Sequence, residues 1–226
     1  MQRPSDSIFW HLYPLGFCGA EKQATGGVRH RLGRLSAYLD HARDLGASGL
    51  LLGPVFASAS HGYDTLDHFR IDDRLGDAAD FDTLLADAHA AGFCVVLDGV
   101  FNHLGRDHDL VRRALDAGPG TPDGDWIRWS GAYPYYFEGH DALVALNLGN
   151  PAVQEYVAGA MIHWLGRGVD GWRLDAAYAA GPDAWAPIVA LVRAAHPDAW
   201  LLGEVLHGDY TGFVAASGLD TVTQYE

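Results

Sequence analysis

Gly168-Val169-Asp170-Gly171-Trp172-Arg173-Leu174-Asp175 is the stretch on which the reading of the whole chain turns. The run before it, Pro151 to Arg167, is helical in pattern and stops at Gly168. Val169, Gly171-Trp172 and Leu174 then alternate with polar residues, as in a short buried strand that ends on a carboxylate. Arg173 and Asp175 are two residues apart, so on a strand both side chains leave the same face. A guanidinium beside a carboxylate lowers its pKa and keeps it ionised. An ionised carboxylate at the C-terminal end of a strand suits a nucleophile or a charge stabiliser. The same pair also fits a structural ion pair, and the other stretches must decide.

Working outward, Ser7 to Pro14 reads as a first strand stopped by proline. Val28 to Leu45 places Leu32, Leu35, Leu39 and Ala42 at helical spacing, and Gly46 closes that helix. Ser48 to Pro54 is a continuous apolar run, as expected of a strand buried on both faces. A long loop, 55–76, carries Ser60-His61-Gly62-Tyr63-Asp64. Asp80 to Ala91 predicts a helix with Phe81, Leu84, Leu85 and Ala88 inward, and Phe93 to Asp98 predicts a third strand. Residues 104–142 fit no regular period and hold Pro119, Pro122, Pro134 and the aromatic cluster Tyr133, Tyr135, Tyr136, Phe137. A loop of that length reads as an inserted subdomain or lid, with the tyrosines as its core. Asn150-Pro151 is a cap followed by a first-turn proline. Pro182 to Ala195 predicts another helix, Ala199 to Glu204 a fifth strand, Tyr210 to Ala216 a short helix, and Thr221 to Tyr225 the start of a sixth strand.

Strands alternating with helices predict a parallel α/β sheet. Three of the strands end on Asp98, Asp175 and Glu204. In a (β/α)8 barrel the C-terminal strand ends converge, so the three carboxylates meet in one pocket. A doubly wound sheet brings together only the residues at its switch point. No phosphate-cradling glycine fingerprint follows the first strand, and the barrel is the better reading.

Composition narrows the partners. The 226 residues carry 15 Lys+Arg against 29 Asp+Glu, a net charge of -14, which repels phosphate backbones and anionic lipid. Nucleic acid and membrane surfaces are therefore not expected as partners. Hydrophobic residues at 49% with charged residues at 19% describe a globular chain. No apolar run reaches membrane-spanning length, and the polar Met1 to Ser7 lacks the apolar stretch of a signal peptide. Cys18 and Cys94 have neither metal-ligand nor disulfide spacing, so the expected setting is cytoplasmic.

At this point the motifs carry a resemblance. Asp98-Gly-Val-Phe-Asn102-His103 resembles the D-x-x-x-N-H motif of the alpha-amylase superfamily of glycoside hydrolases. Gly171-Trp-Arg173-Leu-Asp175 is similar to its G-x-R-x-D, whose Asp is the nucleophile, and Gly203-Glu204-Val205 to the region whose Glu is the acid/base. His61-Gly62-Tyr63-Asp64 resembles the stretch that supplies a sugar-stacking Tyr, and Leu146-Asn147 the motif that closes the inserted domain. The resemblance implies an alpha-amylase-type TIM barrel with a short insert between strand three and helix three, present here as about the first five to six strand–helix units. Residues 1–103 are then the first part of the catalytic barrel, 104–142 the insert or lid, and 143–226 the continuation, incomplete at the C-terminus. It further implies Asp175 as nucleophile, Glu204 as acid/base, Asp98 and His103 on sugar hydroxyls, Tyr63 stacked on the sugar face, and Arg173 beside the nucleophile. The two carboxyls would divide the work by environment: Asp175 is biased toward charge by Arg173, and Glu204 toward its proton by burial. No cofactor is required by this chemistry, and the resemblance admits calcium through Asn102.

The chain also departs from the family. The His-Asp pair of the fourth region is absent, and only 22 residues follow Glu204. We therefore expect an incomplete barrel with the edges of strands one and six bare, completed by the missing C-terminal half and weak as a catalyst without it. Ala176-Ala177-Tyr178 replaces the Lys-His pair many alpha-amylases carry, and Leu143 to Asn147 lacks the proline and charge common at that motif. Short malto- or isomalto-type oligosaccharides are thus the expected substrates. Hydrolysis, transglycosylation and isomerisation stay open, as does a non-catalytic sugar-binding relative. A metal-dependent hydrolase built on Asp98, His103, Asp175 and Glu204 is a further rival, against which the Arg173 cation speaks.

Overall fold

In the computed structural model, which describes residues 3–23 and 26–225, six parallel strands stand side by side in chain order. They are β1 (Phe9–Leu12), β2 (Gly49–Leu52), β3 (Cys94–Gly99), β4 (Gly171–Leu174), β5 (Trp200–Gly203) and β6 (Thr221–Val222). An order without reversal is the winding of a barrel and not of a doubly wound sheet. β1 and β6 are the two edges among the described residues, so the sheet is an open arc of a TIM barrel. The expected polar opening and the last residue of the expected barrel continuation lie in part outside the described residues, at Met1, Gln2 and Glu226.

Five helices return the chain between strands: α1 (Leu39–Asp44), α2 (Ala78–Ala90), α3 (Pro151–Gly166), α4 (Pro182–Ala195) and α5 (Tyr210–Ser217). Their starts follow local chemistry. The Asp77 carboxylate accepts the Ala79 and Asp80 N–H groups while the Asp80 side chain accepts the Asp77 N–H, a reciprocal cap on α2. Asn150 accepts the Ala152 N–H ahead of Pro151 on α3. The helix expected over Val28 to Leu45 is instead broken into Gly33–Ser36 and α1. Arg29 and Arg31 donate their backbone N–H groups to the Asp73 and Leu75 carbonyls, and that long-range pairing competes with coiling. The stripe Leu32, Leu35, Leu39 and Ala42 is nevertheless buried.

Every residue of β2 and β3 is buried, as strands covered on both faces require. The helix-facing side holds the main core, with Trp164, Trp172, Trp185, Phe56, Phe81, Phe93 and Phe101 fully enclosed. The inner side is a smaller cluster of Leu51, Val96 and Leu202, flanked by Phe9 stacked on Trp200 with centroids 5.3 Å apart. The loops at the C-terminal strand ends carry their own structure. After β2, Phe56–Ser58 pairs with Thr65–Ile71 in an antiparallel hairpin. After β3, His103–Gly105 pairs antiparallel with Leu143–Ala145.

Residues 104–142 are more regular than their sequence suggests, since Asp109–Ala117 is a helix capped by the His108 side chain. Histidine is an uncommon cap, which hid the start. Of the tyrosines expected as the core of this segment, Tyr136 is half-buried against the core, but Tyr133 is 77% exposed and Tyr135 43%. Val111, Ala114, Ile127 and Val144 fill that role, while the Arg128 guanidinium lies 4.4 Å from the centroid of the Tyr135 ring. Amphipathic rings on a two-residue hairpin find a cation at the surface where aliphatic side chains already occupy the interior. No helix among the described residues is long and apolar enough to cross a membrane.

Candidate active site

Strand register assembles the charged centre. β4 lies between β3 and β5 with Arg173 opposite Asp98 and Leu174 opposite Gly203, so Glu204 follows beside Asp175 one step on. Backbone bonds extend the ladder past the strand ends: the Asp175 N–H donates to the Gly99 carbonyl at 3.0 Å and the Glu204 N–H to the Leu174 carbonyl at 2.9 Å. The carboxylates are therefore fixed by main chain and not by flexible loops.

Arg173 joins the centre together. Its Nη1 donates to Asp98 Oδ1 at 2.5 Å and to Asp175 Oδ1 at 3.2 Å, and its Nη2 donates to Glu204 Oε1 at 2.5 Å. Asp98 is fully enclosed, Arg173 and Asp175 are buried, and Glu204 is the least enclosed of the four. Three carboxylates around one guanidinium leave a buried excess of negative charge, and a proton is the cheapest way to reduce it. Burial lifts the Asp175 carboxyl to about 8, with the neighbouring Asp98 charge adding to the effect and Arg173 only partly offsetting it. Burial likewise lifts Asp98 to about 6, against the pull of Arg173.

The surroundings of the two carboxyls differ from those expected. Burial outweighs Arg173 at Asp175, because the guanidinium divides its donors among three acceptors and the neighbouring Asp98 charge adds to the desolvation. Glu204 is not an apolar-pocket acid: besides Arg173, the Ala176 N–H donates to its Oε2 at 2.8 Å and the Tyr225 hydroxyl to its Oε1 at 3.2 Å.

A cavity of about 360 Å³ opens beside the centre, lined by His61, Tyr63, His103, Phe137, Glu138, His140, Asp141, Ala142, Leu143 and Asp175. The turn before Thr65 presents Tyr63. Asp64 ties that turn by accepting the Ser60 hydroxyl and the Ser60 and His61 N–H groups. The buried Arg74, paired with Asp72, holds it from below by donating to the Ser60 carbonyl and the Ser58 hydroxyl. Burial raises the Tyr63 hydroxyl's pKa, and the charges of Asp98 and Asp175 raise it further.

Asn102 and His103 follow β3. The Asn102 amide nitrogen can only donate, so its 3.2 Å contact makes His103 Nδ1 an acceptor and places the ring proton on Nε2. Burial holds this imidazole down, to about 4, against a smaller opposing pull from the Tyr63 backbone. The Phe137 ring stacks flat on it, 4.5 Å away and 11° from parallel. Two buried polar atoms of the site have no hydrogen-bond partner, His103 Nε2 and Asp98 Oδ2. One is a donor and the other an acceptor, which is the pair of roles a hydroxyl can fill. The Asn102 amide turns its nitrogen to His103, and the oxygen is the atom that a calcium ion would take.

The structure thus brings Asp98, Arg173, Asp175 and Glu204 into one hydrogen-bonded cluster, with Tyr63 and His103 on the wall of the adjoining cavity. Sequence reasoning missed Phe137 and Glu138 as wall residues and Tyr178, whose hydroxyl donates to Glu138 Oε1 at 2.7 Å. The aromatic cluster that contains Phe137 was visible, but its placement against His103 depends on how the insert folds back.

Comparison with known proteins gives the family and the fold. The chain is 34% identical over 197 residues to neopullulanase 2 of Thermoactinomyces vulgaris, covering 83% of this chain and 34% of that protein. It is 34% identical over 177 residues to the intracellular maltogenic amylase of Bacillus subtilis, covering 75% and 30%. Among solved structures, the debranching enzyme of Nostoc punctiforme superposes with a TM-score of 0.83 at 29% identity, over 99% of this chain and 53% of that one. The chain spans about a third of the length of the curated relatives it matches. The family model described as alpha amylase, catalytic domain, matches residues 11–134 and 128–225, and this chain belongs to that family.

Proposed function

We propose that this chain carries the nucleophile, the acid/base and one sugar subsite of a retaining glycoside hydrolase that cleaves α-glucosidic bonds in short malto- or isomalto-type oligosaccharides. The observation that carries the reading is the joining of Asp98, Asp175 and Glu204 by one arginine beside a cavity lined by Tyr63, His103 and Asp175, with His103 Nε2 and Asp98 Oδ2 buried and unpaired. Asp175 attacks the anomeric carbon while Glu204 protonates the departing glycosidic oxygen; water then releases the covalent sugar, with Glu204 taking the proton back. Such chemistry needs the two carboxyls about 5–5.5 Å apart. Asp175 and Glu204 follow paired positions on neighbouring strands and share Arg173, which supports their working as such a pair.

The resting proton count suits the reaction. One proton is needed among the carboxyls, and burial keeps one there at neutral pH. In the resting chain burial favours Asp175 as its holder, so the nucleophile gives up that proton before it attacks. A sugar can drive that loss by giving hydroxyl hydrogen bonds to Asp98 and Asp175, which stabilise their ionised forms. His103 Nε2 and Asp98 Oδ2 would hold hydroxyls of the sugar at the cleavage point, and Tyr63 would lie on its face. The names of the relatives, neopullulanase and maltogenic amylase, support an α-glucan substrate class. A cytoplasmic setting is part of the proposal, resting on the relative named intracellular and on the free Cys18 and Cys94. Any calcium at Asn102 would be structural.

The test is trapping with a 5-fluoro-α-glucosyl fluoride followed by intact mass and peptide mapping. A single glycosyl adduct on Asp175, absent from Asp175→Ala, is the expected result. An adduct on another residue, or none while the sugar still binds, would refute the nucleophile assignment and leave a sugar-binding protein.

A further inference from the structure

One wall of the cavity comes from the insert, and the reaction scheme does not use it. Phe137 covers the His103 ring, and Glu138 directly after it holds a left-handed backbone, φ 50° and ψ 27°. Among the described residues, only Glu138 and Ala176 are non-glycine residues with positive φ. The two sit at either end of one connection. Ala176 follows Asp175 and donates its N–H to Glu204, and two residues later the Tyr178 hydroxyl donates to Glu138 Oε1 at 2.7 Å. Tyr178 is itself anchored by its backbone N–H, which donates to the Glu204 carbonyl at 3.0 Å. A non-glycine residue stays in that conformation only where surrounding contacts enforce it, and such residues gather at ligand sites.

Glu138 is exposed on the rim, and a carboxylate offers about four lone-pair positions, of which Tyr178 takes one. Its free positions face a cavity shared with Asp175, Asp141 and the unpaired His103 Nε2. We propose that Glu138 is a substrate-binding residue that accepts hydroxyl hydrogen bonds from a neutral sugar in this cavity and turns away anionic sugars, with Tyr178 as the positioning residue that aims it. The inference rests on the function proposed above. Hydroxyl donors match a fixed carboxylate, whereas a phosphorylated or uronic sugar meets two like charges, Glu138 and Asp141, on one wall.

Calorimetry on the full chain, with maltose and maltose 6'-phosphate as probes, tests it. The parent should bind maltose at least tenfold more tightly than the phosphate. Glu138→Gln should weaken maltose binding about tenfold and narrow the ratio between the two ligands at least threefold, with an unchanged melting temperature. Tyr178→Phe should weaken maltose binding about threefold and keep most of the ratio. A Glu138→Gln variant that binds both ligands as the parent does would overturn the assignment while leaving the glycosidase reading intact. A parent that binds no maltose would overturn the glycosidase reading and this assignment with it.

Discussion

Replacing Asp175 by Asn should stabilise the chain at neutral and alkaline pH and do nothing for it in acid. The buried carboxyl is held at about 8, against an ordinary value of 3.8. A folded-state pKa raised in this way means that the native chain keeps a proton the unfolded chain has lost. Stability from that proton is fully present below about pH 4 and declines as pH rises towards about 8. Each pKa unit corresponds to about 1.4 kcal/mol, so the complete difference of about four units sets an upper bound near 6 kcal/mol at pH 8 and above. Two features of the site reduce it. Asp98 shares Arg173 and can take up part of the charge imbalance, and an Asn side chain keeps an oxygen for the 3.2 Å contact with Arg173 Nη1. A net gain of about 2 kcal/mol is the expectation, which for a chain of this size raises the melting temperature by about 4–8 °C. The assay is differential scanning calorimetry of parent and variant from pH 4 to pH 8.5. The two should coincide at pH 4 and separate steadily from there to about pH 8. A variant that melts with or below the parent at pH 8, or a difference that does not change with pH, would show that burial does not dominate at Asp175.

Two further substitutions probe the same centre from other sides. Arg173→Met removes the one cation shared by three buried carboxylates and should destabilise by about 3–5 kcal/mol at pH 7, read as a lower urea midpoint; part of the loss should return at pH 5, where the carboxyls take up protons. Gly171→Ala should destabilise by about 1–3 kcal/mol, because a Cβ there would collide with the Trp200 backbone carbonyl on β5, and an unchanged unfolding midpoint would show that the β4–β5 spacing is softer than it looks.

Much of this architecture was legible in the chain itself. Strand-length apolar runs such as Ser48 to Pro54 have few ways to be satisfied other than burial on both faces, and alternation with capped helices implies a parallel sheet. Each strand that ends on a carboxylate then points to one rim, so Asp98, Asp175 and Glu204 could be grouped before any coordinates. These signals are local: periodicity, caps and strand ends each need only a few neighbouring residues. What failed was whatever depended on distant competition. The stripe from Leu32 to Ala42 is helical in spacing and correctly buried, yet Asp73 and Leu75, more than forty residues from Arg29 and Arg31, claim the backbone donors in front of it.

The site shows the same division more sharply. That Arg173 stands beside Asp175 is a consequence of two-residue spacing on a strand and could be read directly. That it must also serve Asp98 and Glu204 depends on the register of β3, β4 and β5, and burial, with the Asp98 charge brought close by that register, raises the Asp175 carboxyl where the sequence predicts it lowered. Likewise Glu138 and Tyr178 are forty residues apart and meet only because the insert folds back over the β4 end. Motifs and spacing in the chain determined which groups are available to the chemistry. Desolvation and through-space charge decide where the protons reside, and both are properties of the packed surroundings, which only the tertiary fold supplies.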